Sequence, residues 1–253
     1  MQKSKARLDQ LLVAAGLAED RQAAHALILA GRVFVDSQKI EKPGTLISAA
    51  AAIVVRPRPR FVSRGGNKLQ HALEYFQICV RDRICVDLGT STGGFVDCLL
   101  QLGASRVHAY DVGRGQIAWS LATDPRVSLH DRYNVRYLKP SDLPPSFFLL
   151  SADLSFISLR LVLPAIAAAL TVRGEEDAQA LLLIKPQFEL PRERIAPGGL
   201  VADPEEGQQV VLQITEAAQR EGLIPMGSVP SAVPGAEGNQ EYFVRFVLKE
   251  ATS

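Results

Sequence analysis

The fold depends on the stretch Ile84-Cys-Val-Asp-Leu-Gly-Thr-Ser-Thr-Gly-Gly-Phe95. Residues 84–86 suit a buried strand, and residues 95–102 carry apolar side chains at helical spacing. Between them lies a glycine-rich turn, residues 89–94, whose bare backbone allows close approach of a ligand. The order of strand, bare turn and helix predicts a cofactor-binding turn, with an ordinary structural turn as the alternative.

Three cofactor classes use such a turn, and its residues separate them. Gly89 and Gly94 have the P-loop spacing, but Phe and Val follow them where Lys and Ser or Thr would grip phosphate and magnesium, which disfavours an NTPase. A dinucleotide fingerprint needs G-x-G-x-x-G, whereas residues 90–92 separate the first two glycines, so NAD or FAD ranks second. S-adenosylmethionine is favoured, because its cationic sulfonium and ammonium suit an acid such as Asp87.

Composition limits the class of protein. With 253 residues, 47% of them hydrophobic, the chain can bury one large domain, or one large and one small domain. It has no apolar run of roughly 18 residues, and its basic start is followed by no signal-peptide core, so we predict a cytoplasmic protein without a membrane span.

Cys79, Cys85 and Cys98 lack metal-ligand spacing, so we predict that they are reduced residues that pack in the core. The four histidines share no ligand spacing either, and we predict no metal site.

Charge is distributed unevenly along the chain, although the net charge is only +1. Residues 1–67 contain 11 Lys or Arg against 5 Asp or Glu, and the rest contains 17 against 22. Because phosphate neutralisation dominates nucleic-acid affinity, a small basic segment indicates a polyanionic partner. A solvated basic face is the alternative.

The basic segment has a helix-helix-strand pattern. Apolar residues at helical spacing predict helices over 8–15, with Ser4 as N-cap, and over 21–30, followed by a short strand at 33–35. Residues 56–60 read Arg-Pro-Arg-Pro-Arg, and alternating prolines forbid a helix and favour an extended linker. The sequence therefore predicts two domains joined at this linker.

From residue 84 onward, strand and helix patterns alternate, which predicts a parallel sheet with helices on both faces. The predicted strands are 84–86, 106–111, 127–130, 147–153, 180–184 and 241–248, and the predicted helices are 69–76, 95–102 and 207–220. The carboxyl ends of parallel strands meet at one edge of a sheet, where α/β proteins bind their ligands. The residues at these strand ends are therefore the candidates for a functional site.

The second predicted strand ends at Asp111, which follows Asp87 by 24 positions. An acidic side chain at this place accepts hydrogen bonds from a ribose diol, so Asp111 is a candidate cofactor ligand. A strand-end Asx turn is the alternative. Asp131, Arg132 and Asn134 follow the third strand, where an adenine would be flanked.

Two charged residues end buried apolar strands: Asp153 and Lys185. With Lys68 and Glu241 they converge on one edge of the predicted sheet, and structural ion pairs are the alternative to catalysis. With S-adenosylmethionine as the cofactor, methyl transfer to a hydroxyl is an in-line displacement in which the nucleophile loses its proton. A neutral Lys185 would accept that proton, Asp153 would orient Lys185 and receive its proton, and Glu241 would fix Lys68 or the acceptor.

Six motifs occur in order and together resemble the TlyA-type family. They are Val62-Ser-Arg-Gly-Gly-Asn-Lys68-Leu, Asp87-Leu-Gly-Thr-Ser-Thr-Gly-Gly-Phe, Asp111-Val-Gly-Arg-Gly-Gln, Asp153-Leu-Ser-Phe-Ile-Ser, Lys185-Pro-Gln-Phe-Glu189 and Pro234-Gly-Ala-Glu-Gly-Asn-Gln-Glu241-Tyr-Phe. That family, labelled haemolysin in many proteins, is similar to FtsJ-like ribosomal RNA 2'-O-methyltransferases. The resemblance covers nearly the whole chain; Thr90, Val96 and Ala202 depart from the usual pattern.

The resemblance implies a Rossmann-like S-adenosylmethionine-dependent methyltransferase domain over residues 61–253. It implies a Lys-Asp-Lys-Glu tetrad matching Lys68, Asp153, Lys185 and Glu241. It also implies cofactor-binding residues, which are Asp87, Gly89, Ser91, Thr92, Gly93, Gly94, Phe95, Asp111 and Asp153. Ala202 stands where a basic side chain is expected, which removes a phosphate contact near the site.

Residues 1–60 resemble a second family, the small α+β RNA-binding domain named after a small-subunit ribosomal protein and shared with pseudouridine synthases. The motifs are Arg7-Leu-Asp, Arg21-Gln-Ala-Ala and Ile28-Leu-Ala-Gly-Arg32-Val-x-Val. The resemblance implies RNA contacts from cations of this segment and of the linker region, namely Lys5, Arg7, Arg21, Arg32, Arg58, Arg60 and Arg64. Ribosomal RNA, naked or in a subunit, is the partner it implies.

Three rival functions stay open from the sequence. One is a haemolysin or membrane-active protein, although no strongly amphipathic cationic helix is visible. Another is a non-catalytic RNA-binding or ribosome-assembly factor. A nicotinamide oxidoreductase is the most distant. The oligomeric state and the modified nucleotide are not specified by the sequence.

Overall fold

The computed structural model describes residues 5–201 and 203–249. The chain divides into two compact units, Met1–Pro59 and Arg60–Ser253. The cap predicted at Ser4 and the departure noted at Ala202 lie outside the described residues. Each unit contains a hydrophobic core of its own.

The first unit is a small α+β fold. Its elements are β1 (Lys5–Arg7), α1 (Leu8–Ala14), α2 (Arg21–Leu29), β2 (Val33–Val35), β3 (Gln38–Lys39), β4 (Leu46–Ser48) and β5 (Ile53–Val55). β1 pairs with β4, and β2 lies between β3 and β5, all antiparallel. The two predicted helices and the strand at 33–35 are confirmed. The other four strands were not predicted, because two or three residues are too short to show a period.

The second unit contains a seven-stranded sheet and five helices in its described part. The helices are α3 (Arg64–Tyr75), α4 (Gly94–Gln101), α5 (Trp119–Ala122), α6 (Leu163–Arg173) and α7 (Pro204–Arg220). The strands are β6 (Ile84–Leu88), β7 (Arg106–Asp111), β8 (Val127–Asp131), β9 (Phe147–Ala152), β10 (Gly174–Ile184), β11 (Leu223–Pro230) and β12 (Tyr242–Leu248). Short 3-10 helices follow three strands at Val135–Tyr137, Leu159–Leu161 and Pro186–Phe188.

The strand order is β11-β12-β10-β9-β6-β7-β8. From β10 to β8 the strands are parallel, whereas β12 runs antiparallel to β10 and β11 runs antiparallel to β12. After β6 the chain first builds one side of the sheet, β7 and β8, and later the other side, β9 and β10. The glycine-rich turn therefore lies at the point where the strand order reverses, which is the place where open α/β sheets bind ligands.

Helices cover both faces of this sheet, as predicted. Alternate residues of β6 separate the two cores: Val86 and Leu88 pack on the side of α6 and α7, and Cys85 packs on the side of α3 and α4. A fully buried leucine stabilises the fold by roughly 2 kcal/mol relative to an exposed one, so these cores fix the sheet on which the site is built. The Rossmann-like fold class predicted from the sequence is confirmed.

Several elements differ from the predictions, and three of the differences are instructive. α3 begins at Arg64 and not at the predicted residue 69, so Lys68 lies in its second turn. β10 begins at Gly174, because its first half is polar and reads as a loop. β11 was missed, since Pro225 and Gly227 argue against a strand; an edge strand tolerates proline, and the register shifts between Pro225 and Ser228.

Candidate active site

The glycine-rich turn after β6 has no room for side chains at two positions. Gly89 has φ +85°, and a Cβ there would lie 2.4 Å from the carbonyl oxygen of Asp153. Gly93, the N-cap of α4, has φ +94°, and its Cβ would lie 2.5 Å from Leu121 Cδ1. Only glycine combines this left-handed backbone with such close packing. The turn thus presents bare backbone above the end of β6.

Asp111, the last residue of β7, is held by two backbone amides. The nitrogen of Ser91 donates to Oδ2 at 2.7 Å and the nitrogen of Gly113 donates to Oδ1 at 2.6 Å. Each carboxylate oxygen retains acceptor capacity. Asp111 lines a cavity of about 560 Å³, together with Gly89, Ser91, Tyr133 and other residues.

A second cavity, of about 330 Å³, lies on the other side of the turn. Its walls include all four residues of the predicted tetrad, Lys68, Asp153, Lys185 and Glu241. Lys68 lies on α3, and the other three lie beside strand ends: Asp153 follows β9, Lys185 follows β10 and Glu241 precedes β12. The four residues thus come together at one edge of the sheet, as the sequence predicted. What these residues do chemically stays a prediction at this point.

The tetrad consists of two ion pairs. Lys68 Nζ donates to Glu241 Oε2 at 2.5 Å, and these two side chains are almost fully buried, with 7% and 2% of their residue surfaces exposed. Lys185 Nζ lies 2.6 Å from Asp153 Oδ1. This second contact is an ion pair, and the Lys185 ammonium also donates a hydrogen bond to Ser155 Oγ at 2.9 Å.

The two cavities meet along the loop after β9. Gly89, Ser91, Asp153, Ser155 and Phe156 line both of them. Phe156 has φ +63°, which is strained for an aromatic residue, and 90% of its surface is exposed. A molecule in the larger cavity and one in the smaller cavity would therefore face each other beside Asp153.

Asp87 lies below this surface and lines neither cavity. Its carboxylate is fully buried and accepts hydrogen bonds from Ser151 Oγ at 2.8 Å and Thr90 Oγ1 at 3.0 Å. Burial raises the pKa of Asp87 to about 7, against the opposing effect of the two hydroxyls. The sequence interpretation placed this acid beside a cationic ligand, whereas the structure shows it supporting the turn from underneath.

The other predicted cofactor residues divide between the cavities. Thr92, Gly94 and Phe95 line the smaller cavity and not the larger one, and Gly93 lines neither. Phe95 is nearly buried, with its ring 5.9 Å from that of Phe243. Of the predicted set, the larger cavity thus contains Gly89, Ser91, Asp111 and Asp153.

Comparison with known proteins identifies the family. The FtsJ-like methyltransferase family matches residues 61–247, and the S4 domain family matches residues 6–53. A relative from Mycobacterium tuberculosis, named 16S/23S rRNA (cytidine-2'-O)-methyltransferase TlyA, is 45% identical over 95% of this chain and 89% of its own length. The chain belongs to the TlyA family of FtsJ-like methyltransferases.

Two further TlyA-family similarities span almost the whole chain. YqxC of Bacillus subtilis, whose name proposes an rRNA methyltransferase, is 42% identical over 96% of this chain and 86% of its own length. A solved structure from Streptococcus thermophilus, named as a hemolysin, has a TM-score of 0.73 and 37% identity, and covers 98% of this chain and 90% of its own. The family recognised from six motifs is confirmed, and so is the methyltransferase class of enzyme.

Within the S4 unit of this TlyA-family chain, the Asp9 carboxylate binds two of the predicted RNA-binding cations, Arg7 and Arg21, and also contacts His25. Arg7 Nε and Nη2 bind its two carboxylate oxygens at 3.0 and 2.8 Å, and Arg21 Nε and His25 Nε2 reach Oδ2 at 3.0 and 2.8 Å. The Arg7 guanidinium holds the pKa of Asp9 well below its usual range, and the carboxylate is fully buried. Arg7 and Arg21 keep 38% and 59% of their side-chain surfaces exposed.

The remaining predicted RNA-binding cations are placed differently. Lys5 and Arg58 are exposed. Arg32 Nε donates to the carbonyl oxygen of Arg56 at 2.8 Å, which fastens it to the end of β5. In the second unit, Arg60 Nη1 donates to Gln70 at 2.9 Å, and the exposed Arg64 lines the smaller cavity. Their contact with RNA stays a prediction.

Sequence reasoning assigned no role to Ser155 and Phe156, although both lie inside a quoted motif. Their signal is position alone, since they follow a strand that ends in a carboxylate. Cys79 is exposed, so the prediction that all three cysteines pack in the core is wrong for this one.

The described part of the chain shows neither a metal-binding cluster nor a membrane-spanning helix. Among residues 5–201 and 203–249, no group of three His, Cys, Asp or Glu side chains is arranged to hold a metal ion. In the same part of the chain, no helix has the length and apolar character needed to cross a membrane.

Proposed function

We propose that the chain methylates a ribose 2'-hydroxyl of ribosomal RNA, with S-adenosylmethionine as the methyl donor. The observation that carries this proposal is the meeting of two cavities at the glycine-rich turn, one of them lined by all four tetrad residues. The printed name of the Mycobacterium tuberculosis relative states this class of reaction for that protein.

The larger cavity fits the methyl donor. Asp111 presents carboxylate oxygens to a ribose diol, and the bare backbone of Gly89 forms part of the same cavity wall. Tyr133 and Val135 offer apolar surface to an adenine. When bound, the donor supplies an electrophilic methyl group attached to a sulfonium.

The smaller cavity fits the nucleotide that accepts the methyl group. Phe156 and Phe188, whose ring centroids are 5.1 Å apart, line its wall and offer an aromatic face on which a base stacks. The cations Arg64 and Lys68 line the same cavity and suit a phosphate or a developing negative charge.

Lys185 is the general base in this proposal. The attacking 2'-hydroxyl must lose its proton, and Lys185 lies at the exit of β10, on the cavity wall next to Asp153. Lys185 accepts a proton only after giving up its own, and the carboxylate 2.6 Å away is the acceptor within reach. Asp153 therefore orients the lysine and takes its proton. Glu241 holds Lys68, which supplies positive charge where the 2'-oxygen becomes negative.

The two units divide the work. Residues 1–60, which include the S4 match and the Arg/Pro linker, grip the RNA through exposed cations, and residues 61–253 carry out the transfer. Affinity for RNA then depends on phosphate contacts of the first unit and falls steeply with salt.

The test uses purified full-length protein with both ribosomal subunits and with the naked rRNAs. Each is incubated with radiolabelled S-adenosylmethionine, and 2'-O-methyl positions are mapped. We expect label at a ribose, and a Lys185→Ala protein slower by at least about 100-fold, the usual minimum contribution of a general base. Lys139→Ala is the control, since Lys139 is exposed and lines neither cavity.

The outcomes separate the parts of the proposal. Absence of label in every rRNA, with RNA still bound, contradicts methyl transfer and supports a non-catalytic RNA-binding factor. Label at the wild-type rate in Lys185→Ala contradicts only the assignment of the base. Leakage from liposomes incubated with the protein would support the haemolysin alternative.

A further inference from the structure

Glu189 joins the two loops that carry the candidate catalytic groups. Its Oε2 accepts a hydrogen bond from Ser158 Oγ at 2.5 Å, and its Oε1 accepts one from the backbone nitrogen of Leu159 at 2.7 Å. The short helix Pro186–Phe188 comes directly after Lys185, and Glu189 is the first residue after that helix. One carboxylate thus connects the loop after β9 with the loop after β10.

These two loops have few other connections. β9 and β10 pair along their length, but the register of paired residues ends at Ala152 and Leu182. Among the described residues, no backbone hydrogen bond joins loop 153–158 to segment 185–190. The contacts between them are side-chain contacts: Lys185 with Asp153 and Ser155, Phe156 with Phe188, and Glu189 with Ser158 and Leu159.

Of these contacts, the one made by Glu189 is the most restrictive. Both carboxylate oxygens are used, by a hydroxyl and by a backbone amide of adjacent residues, and a two-point contact fixes orientation as well as distance. Glu189 lines neither cavity, so it has no surface to offer to donor or acceptor there. Its position indicates a role that acts through other residues.

The loop that it holds needs such support. Phe156 keeps a left-handed backbone at φ +63° and is 90% exposed, and its own side chain has little packing to stabilise that conformation. Strained conformations persist only when neighbouring structure holds them. The Glu189 contacts at Ser158 and Leu159 fasten the chain two and three residues further on.

We propose that Glu189 is a positioning residue that keeps Asp153 and Phe156 aligned with Lys185 for methyl transfer. This inference rests on the proposed function. Misplacement by about 1 Å is enough to cost large factors in rate, so loss of the contact lowers the transfer rate without removing any reacting group. Binding of the methyl donor changes less than the rate: Asp153 and Phe156 also line the larger cavity, but Asp111 and the glycine-rich turn are held by other contacts.

The stability of the fold gives an independent signature. Burial raises the pKa of Glu189, although Ser158 and Leu159 donate to its carboxylate. A carboxyl group whose pKa is raised on folding costs stability as pH rises through the folded pKa. Replacement of Glu189 by glutamine, which removes the charge and can keep both hydrogen bonds, is therefore expected to leave the thermal midpoint at neutral pH unchanged or higher. A residue retained only for stability behaves in the opposite way.

The experiment compares four full-length variants in single-turnover methyl transfer at saturating RNA. They are Glu189→Ala, Glu189→Gln, Ser158→Ala and the control Glu206→Ala. Glu206 also accepts two hydrogen bonds, both from Arg194, but lines neither cavity. The rate constant, the donor Kd from equilibrium dialysis and the thermal midpoint are measured for each.

For Glu189→Ala we expect a rate constant at least about tenfold lower, with a smaller change in donor Kd. Glu189→Gln should restore most of the rate, because an amide can accept from Leu159 and donate to Ser158. Glu206→Ala should match the wild type. Inactive wild-type protein would contradict the proposed function and, with it, this inference, whereas active wild type with a wild-type rate in Glu189→Ala contradicts only the inference.

A merely structural role is also distinguishable. It predicts a lower thermal midpoint, a donor Kd weakened at least as much as the rate, and no rescue by Glu189→Gln; that pattern overturns the proposal. If Glu189→Ala does not fold, Ser158→Ala decides, because it removes one contact and leaves the carboxylate on Leu159. A wild-type rate in that variant overturns the proposal, and a reduced rate with a smaller change in donor Kd supports it.

Discussion

Asp87 carries a carboxylate that the fold buries completely and that two hydroxyls satisfy. Its pKa is raised to about 7 by burial, while the unfolded chain ionises near the ordinary value. Because the folded pKa is the higher one, the unfolded state loses its proton first. The contribution of Asp87 to the free energy of unfolding is therefore largest at acid pH, falls as pH rises from about 4 to 7, and is constant above that.

We expect Asp87→Asn to be more stable than the wild type at pH 8, by at most about 4 kcal/mol, with the difference vanishing near pH 4. Urea denaturation between pH 4 and 9 measures this. Asp124→Asn is a control of opposite sign, since the Arg126 guanidinium lowers the pKa of Asp124 and its contribution is lost as pH falls. Parallel stability curves for wild type and Asp87→Asn would contradict the prediction.

Lys68 and Glu241 test whether the tetrad exists for stability or for chemistry. Both are almost fully buried, so Glu241→Gln leaves an ammonium without its counter-ion and should cost about 3–5 kcal/mol. The double variant Lys68→Met/Glu241→Leu should recover most of that loss, because apolar residues of similar volume replace a buried ion pair well. Thermal and urea unfolding measure both effects.

Methyl transfer by the same double variant separates the two interpretations. If the pair serves the reaction, the restored protein stays inactive while it binds RNA normally. An active double variant would show that Lys68 and Glu241 are a structural ion pair, which was the alternative reading of the sequence. The sequence interpretation paired Asp153 with Lys185 and Glu241 with Lys68 or the ribose, and the structure has the contacts Lys185–Asp153 and Lys68–Glu241. That pairing came from chemical reasoning, because spacing carries no information on which lysine meets which carboxylate.

Strands were predictable from sequence where they are apolar and central. β9 is buried along its whole length, and a continuous apolar run predicts such a strand directly. β10 was found only from Ala180 onward, because its first residues are polar, and β11 was missed because an edge strand tolerates proline and glycine. Detection thus follows the degree of burial, and the catalytic edge was predictable because its strands are central.

The loops after these strands were the least predictable part of the site. Asp153 and Lys185 were found because a charge after an apolar run is conspicuous. Phe156 and Glu189 have no such signal: the first is defined by its φ of +63°, and the second by hydrogen bonds to residues about 30 positions away. Such long-range contacts depend on the sheet register, which no local pattern specifies.

The uneven charge of the chain suggests that RNA affinity and catalysis reside in different units. Residues 1–59 carry a surplus of four positive charges, nine Lys or Arg against five Asp or Glu, while all four tetrad residues line a cavity of the second unit. Variants that lose cations of the first unit should therefore weaken RNA binding without slowing transfer at saturating RNA. Lys185→Ala should do the reverse.

The triple variant Lys5→Gln/Arg21→Gln/Arg58→Gln tests this division of labour. Loss of three phosphate contacts should raise the KM for rRNA by about tenfold or more and reduce the slope of log Kd against log salt by about 3, with kcat and donor Kd unchanged. The control removes three exposed cations of the second unit, Arg106, Lys139 and Arg220, so the net charge of the two variants is equal. Equal weakening in both triple variants would show that total charge attracts the RNA and that the S4 unit has no special role. A fall in kcat for the first variant alone would show that the S4 unit also takes part in positioning the ribose, which contradicts the division proposed here.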